Sequence, residues 1–292
     1  RNFLQISCDL NSVNRPLDFM FGIEKDWHFY WVNQFLETSK IPFSFVKSYG
    51  MMKFIRNSID EGKYIELRLD QYYISDREEY RHRHFMHQNL IYGYDDSLKI
   101  LYLLGYNSVG KMSKTTISYA DVKYQFNKRG CVSNVYLIEY KPEAYGVTYQ
   151  PEYIRRMLIQ YLESYNSSLD FGHIIEARNR VFGFACYAEL MSEKGLDLIL
   201  KDRRVLHLLY EHKFVMEQRL EYLAYFENHN AKIRKCFEDY NDIVGSALNI
   251  RNLALKYQIN GDEKIRNKIF NSLKEMMDKE KKILSEVVGL LS

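Results

Sequence analysis

Proline and cysteine are scarce, with 4 of each in 292 residues. The cysteines, Cys8, Cys131, Cys186 and Cys236, lie far apart along the chain, which excludes a disulfide framework and a zinc site built from paired thiols. A reduced, cytoplasmic setting is the expectation. The sequence also lacks an excess of one charge: 41 cations against 38 anions leave +3, too weak a field to hold nucleic acid through its phosphates. Small molecules or proteins are the expected partners. No apolar run approaches the roughly 18 residues of a membrane helix, and the chain does not open on a basic segment followed by an apolar stretch, so neither export nor membrane insertion is expected. A Gly-rich phosphate loop, a Gly-x-Ser-x-Gly elbow and a dinucleotide fingerprint are missing too, and no ATP, NAD or other cofactor is implied.

What the sequence does hold is apolar and aromatic: 46% hydrophobic residues, including 25 tyrosines, enough for one large core or two ordinary ones. Helical faces are predicted for Asp26 to Thr38, where Trp27, Tyr30, Trp31 and Phe35 line up, and for Ser48 to Asp60. Tyr64 to Asp70 alternates, with Ile65, Leu67 and Leu69 on one side, as a half-buried strand does. A polar loop from Ser75 to Arg83 precedes two apolar runs, His87 to Tyr94 and Leu98 to Leu104. These flank Asp95-Asp96-Ser97 and read as a hairpin. Ser118-x-x-Asp121 opens a helix that Gly130 can end, and Val132 to Tyr140 is a further strand.

Beyond Pro151 only helices are predicted: about Glu152 to Tyr165, Phe171 to Lys194, Arg203 to Asn228, Ala231 to Gln258, and Glu263 to the end. The fold class expected is α+β: an antiparallel sheet with helices in residues 1–148, then an all-α helical bundle in residues 149–292.

The chemistry-bearing stretch is His84-Phe85-Met86-His87-Gln88-Asn89-Leu90-Ile91-Tyr92-Gly93-Tyr94-Asp95-Asp96, preceded by Leu69-Asp70-Gln71-Tyr72-Tyr73. A histidine at the head of a strand, then an apolar run, Gly-Tyr-Asp and a second strand, resembles the way papain-like enzymes present their imidazole. The stretch of about residues 60 to 125 looks still more like the N-terminal domain family of butirosin biosynthesis protein H. The resemblance implies a papain-like sheet and acyltransferase or amide-synthase chemistry of the kind found in closthioamide assembly. An acyl group would pass from a carrier-protein thioester to a small-molecule amine. It implies His87 as the general base that deprotonates a thiol and later protonates a leaving group.

Such chemistry needs a cysteine at a helix start, where the macrodipole depresses its pKa. Cys8 is the one cysteine upstream of His87, but Asn11, Asn14 and Pro16 make a weak helix after it. A better helix begins with Asn2 as N-cap and puts Phe3 in the nucleophile seat. Three alternatives stand open: Cys8 is the nucleophile, the seat has lost it, or residues upstream of Arg1 carry it. The third member of the triad, an Asp in the family, is expected near Leu104-Gly105-Tyr106. This chain has Gly105 there, with Asn107 as the nearest amide, able to orient an imidazole or simply to serve a turn. Asp70 is a further candidate.

His82, His84 and His87 are a weak metal set, crowded by Arg81 and Arg83 and without a carboxylate in register. His207 and His212 are five apart and do not share a helix face. For the helical half, an acyl tunnel, a carrier-protein dock and a homodimer interface stay open. Arg155-Arg156, or Arg203-Arg204 with Lys201, are the basic patches a carrier protein would meet, or ordinary solvated faces. The rival class is a catalytically inactive relative that binds or scaffolds, and a cysteine peptidase is a third.

Overall fold

The structure is a computed structural model that describes residues 5–11, 17–18, 36–129, 134–141, 149–170, 179–227 and 230–291. Along the chain come strands β1 (Ser7–Asp9), β2 (Leu17–Asp18) and β3 (Leu36–Pro42), helices α1 (Phe43–Tyr49) and α2 (Met51–Asp60), and strand β4 (Tyr64–Asp70). Strands β5 (Met86–Asp95), β6 (Ile100–Tyr106) and β7 (Met112–Ser118) follow, then α3 (Tyr119–Arg129) and β8 (Asn134–Tyr140). The remainder is α4 (Pro151–Leu162), β9 (Arg180–Phe182), α5 (Ala185–Met191), α6 (Glu193–Lys201), α7 (Arg203–Phe226), α8 (Ala231–Asn260) and α9 (Glu263–Leu290). The chain divides into two units, His28–Val147 and Arg1–Trp27 together with Thr148–Ser292. Among the described residues no helix is long and apolar enough to cross a membrane.

The unit spanning His28–Val147 is built on a six-stranded antiparallel sheet in the order β3-β8-β4-β5-β6-β7. The predicted apolar side of β4 holds, though Glu66 and Asp70 on its other side are buried as well: Ile65, Leu67 and Leu69 pack with Ile91, Leu101, Leu103, Ile117 and Val135 against Val46, Phe54, Ile55, Val122 and Phe126 from the helices. Burying each such aliphatic side chain stabilises the fold by about 1.5–3 kcal/mol before entropy is charged against it.

The expected hairpin is β5–β6, with Asp95 Oδ1 accepting from the Ser97 and Leu98 amides in its turn. Ser118 caps α3 as expected, its Oγ accepting from Asp121 N at 3.0 Å. The helix expected over Asp26 to Thr38 is corrected at its end, because 36–38 are strand β3, and the rest of that segment lies outside the described residues. The helix expected from Ser48 is two helices broken at Gly50, whose φ of +95° only glycine adopts without strain.

Among its described residues, the regular structure of the second unit is helical apart from a small sheet, β2-β1-β9. Thus the first residues, expected in the sheet half, belong here, because Ser7, Cys8 and Asp9 pair with Phe182, Val181 and Arg180. The single helix expected over Phe171 to Lys194 is corrected likewise. Residues 171–178 lie outside the described residues, 180–182 form β9, and Ser192 starts α6 anew by accepting from Gly195 N at 3.0 Å. Gly195 does not break the helix. It lets α6 approach the end of α5 so closely that a Cβ there would stand 1.9 Å from the Glu189 carbonyl oxygen.

The core of this unit encloses a charge cluster. Glu280 of α9 and Lys213 of α7 are both fully buried and 2.9 Å apart. Tyr187 donates to Glu280 at 2.6 Å, Tyr240 donates to it as well, and Lys213 also donates to the Tyr161 hydroxyl at 2.8 Å and to His212 Nδ1 at 3.1 Å. Removing one member strands a charge in the interior. Glu280→Gln is therefore expected to cost about 3–5 kcal/mol in urea unfolding; a cost below about 1 kcal/mol would mean the cluster is open to water.

The cluster also sets an alkaline limit. Burial first, and the charge of Glu280 second, pushes the Tyr161, Tyr187 and Tyr240 phenols well above their ordinary 10.0. Acids raised in the folded state keep protons that the unfolded chain gives up, so their contribution is full below about pH 10 and is lost as pH rises. Lys213, lowered by burial against the pull of Glu280, has the opposite sign, but three phenols outweigh one ammonium. The urea midpoint is expected to fall as pH rises from about 10 to about 12.

Candidate active site

Strand β4 ends on Asp70, whose side chain is fully buried beside a partly exposed histidine. Its Oδ1 accepts from the Tyr72 and Phe85 amides at 3.2 and 3.0 Å, and its Oδ2 lies 2.7 Å from His84 Nδ1. Its own amide donates to Gln125 Oε1 of α3 at 2.7 Å. A buried carboxylate accumulates donors because none of its lone pairs reaches water. The result is a loop, 71–85, whose two ends meet at one acid. Gln71 N donating to Phe85 O at 2.9 Å closes it again.

The geometry assigns the proton on His84. A carboxylate only accepts, so Nδ1 carries the hydrogen and the neutral ring keeps its lone pair on Nε2. The His84 side chain is 41% exposed while Asp70 is 0% exposed. The acid is sealed in and the imidazole is open. This is the orienting arrangement by which a carboxylate fixes the tautomer of a general base and stabilises the imidazolium it becomes.

Aromatic rings surround it. Tyr72 packs on His84 with centroids 4.4 Å apart, Tyr73 lies 6.2 Å away, and Tyr124 of α3 lies 5.7 Å from Tyr73. Above them the Arg81 guanidinium stands 5.5 and 5.6 Å from the Tyr72 and Tyr73 rings. Arg81 takes the left-handed conformation at φ +55°, held by its amide donating to Tyr72 O at 3.1 Å.

The residues singled out by sequence fall elsewhere. His87 is on β5 across from Leu69. Its Nδ1 donates to the Gln88 carbonyl at 3.1 Å, its ring stacks near Phe85, and among the described residues no carboxylate orients it. Asn107 forms the β6–β7 turn, its Oδ1 accepting from Val109 N and Lys111 N at 3.2 and 2.9 Å, so both ends of its role are local.

Gly105 has a physical reason: a Cβ there would stand 2.7 Å from Nη2 of the buried Arg77, which donates to Asn89 Oδ1. The seat where an acid was expected is taken by the Arg77 guanidinium and its partner Asn89. Gly93 makes room for the Tyr102 ring, and Asp96 pairs with Arg56 at 3.1 Å, so the Gly-Tyr-Asp-Asp run serves the hairpin and its anchoring.

Cys8 is not on a helix. It is 3% exposed in β1 of the other unit, and burial, followed by the charge of Glu189, pushes its thiol up to about 12. At neutral pH it holds its proton, the reverse of an activated nucleophile. Phe3 and the helix expected from Asn2 lie outside the described residues, as does Cys131. Of the basic patches, Arg155 donates to the Val288 carbonyl and Arg204 to Asp202 at 2.8 and 2.9 Å, so both already have partners, and the Arg203 side chain lies outside the described residues. Among the described residues there is no group of three or more His, Cys, Asp or Glu side chains that could hold a metal ion.

The signal for the His84–Asp70 pair was present in the sequence. Asp70 closes an apolar alternation and a histidine waits where the loop returns, but only the closure of that loop shows which histidine it meets. Neither the protein-family models nor the curated proteins give a match to this chain.

Burial of Cys8 yields a direct expectation. Native protein at pH 7 leaves Cys8 unmodified by a maleimide while the urea-unfolded chain reacts fully, as peptide mass mapping would read; rapid native labelling of Cys8 would contradict its placement.

Proposed function

We infer that the His28–Val147 unit is an acyl-transfer module of papain-like character in which His84, held by Asp70, is the general base and acid. The carrying observation is the 2.7 Å contact between a sealed carboxylate and an open imidazole. The order of motifs around it supports the acyl chemistry: Asp70-x-Tyr72-Tyr73, then histidine, then Gly93-Tyr94-Asp95.

In this reading the donor is an acyl thioester on a carrier protein and the acceptor is a small amine. His84 Nε2 takes a proton from the amine as its nitrogen attacks the thioester carbonyl. The C–N bond forms, the C–S bond breaks, and the imidazolium returns the proton to the departing thiolate. The acyl group has moved from sulfur to nitrogen and a thiol is released, with no oxidant or cofactor consumed. Asp70 steadies the imidazolium between the two transfers, and Arg81 is the cation nearest the rings that flank it. A two-step route through an enzyme thiol does not use Cys8, for the reasons of burial above. Cys131 is the cysteine within the 28–147 range.

A second reading has its own observation: Asp70 also ties the backbone at Tyr72 and Phe85, so that His84 is a structural pin and the module binds without turnover. His84→Asn separates the two, since the amide keeps a donor in place of Nδ1 and removes Nε2. With an acyl N-acetylcysteamine thioester and a primary amine, transfer is expected to fall by about 10²–10⁴-fold in His84→Asn while the melting temperature is kept. His87→Ala and Cys8→Ser are expected to keep transfer within a few-fold. Undiminished transfer in His84→Asn, or its loss in His87→Ala with the fold intact, would remove His84 from the mechanism.

A further inference from the structure

A second feature of the His28–Val147 unit lies between the α1–α2 corner and α3: a pocket of about 290 Å³. Its apolar wall is Phe43, Met51, Met52 and Phe126, with the Phe43 and Phe126 rings stacked at 5.1 Å. Met52 and Phe126 are core residues, so this wall is fixed by the same packing that holds the sheet.

Around it stand Lys47, Lys53 and Lys123, all exposed, and among the described residues no carboxylate lines the pocket. Among the described residues none gives Lys47 or Lys123 an ion-pair partner, while Lys53 sits 5.0 Å over the Tyr49 ring. The first turn of α2 opens onto the same space: Gly50, its N-cap, brings no side chain to its amides, and no acid occupies that turn.

Three cations about one apolar hollow offer charge complementary to an anion. The apolar wall in turn suits a tail. A volume at the low end of the ligand-pocket range, about 300–1,000 Å³, sets the size. We propose that this pocket binds a small amphipathic anion, a carboxylate or phosphate head on a short apolar tail, with Lys47, Lys53 and Lys123 on the head and Phe43, Met51, Met52 and Phe126 on the tail. The inference does not rest on the acid–base reading of His84, although α3 contributes to both places: Tyr124 and Gln125 to one, Lys123 and Phe126 to the other.

The test is calorimetric titration of the full chain with octanoate and, separately, octyl phosphate, using octylamine as the cationic control. Saturable binding of either anion is expected, weakened at least tenfold in Lys47→Gln/Lys123→Gln and unchanged in Lys264→Gln, a lysine of the other unit. The tighter of the two anions identifies the head group. Absence of saturable binding at millimolar anion, equal binding of octylamine, or unchanged affinity in the double variant would each overturn the proposal. So would association with phosphatidylglycerol vesicles without any binding of the free anions, which would make the lysines a surface patch for lipid. Transfer activity is not read in this experiment, so its failure leaves the His84 reading standing and the converse also holds.

Discussion

The arrangement of the loop that carries His84 in the sheet unit depends on the burial of one carboxylate. Asp70 ends the central strand β4 at 0% exposure, and such a group is tolerated only when donors replace its lost hydration. Two of those donors are backbone amides on either side of a loop of more than ten residues, and the third is an imidazole. Hydrogen bonds to charged groups contribute about 1.5–3 kcal/mol each, more than neutral ones, so the loop closes around the acid and not around its apolar residues alone. Ile74 in the core and Arg77 behind Gly105 fix the middle of the same loop. The position of His84 follows from this closure and not from a strand register.

The two units solve the buried-charge problem in different ways, and the difference bears on function. In the helical unit Glu280 meets Lys213 and three tyrosines, and each donor of the ammonium has a partner within the core. That cluster is closed: its lowered lysine is a perturbed group without access, and perturbation alone does not make a site. In the sheet unit the acid is equally buried, but its partner reaches solvent. A catalytic pair needs one member shielded, to hold the tautomer, and the other exposed, to meet a substrate. Of these two buried acids, Asp70 has that asymmetry with its partner and Glu280 does not.

Where the apolar pattern was strong the sequence was legible. Ile65, Leu67 and Leu69 announced β4, the Asp95 turn announced the hairpin, and the 3.6-residue stripes of α7, α8 and α9 gave helices within a few residues of their ends. The edge strands β3 and β7 were not readable, because an edge strand shows solvent much of its length and Met112 to Ser118 carries no apolar period. The little sheet β2-β1-β9 joins residues some 170 positions apart, and nothing local in Ser7-Cys8-Asp9 says that its partner lies there.

The contact between Asp70 and His84, with His87 left apart from it, was illegible for a related reason. Strand logic favours the residue inside the apolar run, whereas His84 meets Asp70 by a loop contact across 14 residues. Gly105 shows the same limit from the other side: it marks a position where an acid is missing only until Arg77 is seen to need the space.

A histidine on a strand inherits its direction from the pleat. His87 lies opposite Leu69, so its surroundings are set by a row of core aliphatics and by the Gln88 carbonyl, with no acid in reach among the described residues. A histidine two residues before the strand is free of that alternation. It can turn toward the end of the neighbouring strand, where Asp70 is the last residue in register, paired with Met86. Strand ends are the places where a side chain can be buried at its base and open at its tip, since the sheet stops but the packing beneath it does not. The Tyr72 ring against one face of His84 and the Arg81 turn held to the Tyr72 carbonyl then restrict the imidazole before any substrate arrives. In the transfer proposed for His84, little reorganisation would remain for the proton's movement, which is the condition under which an oriented base is most effective.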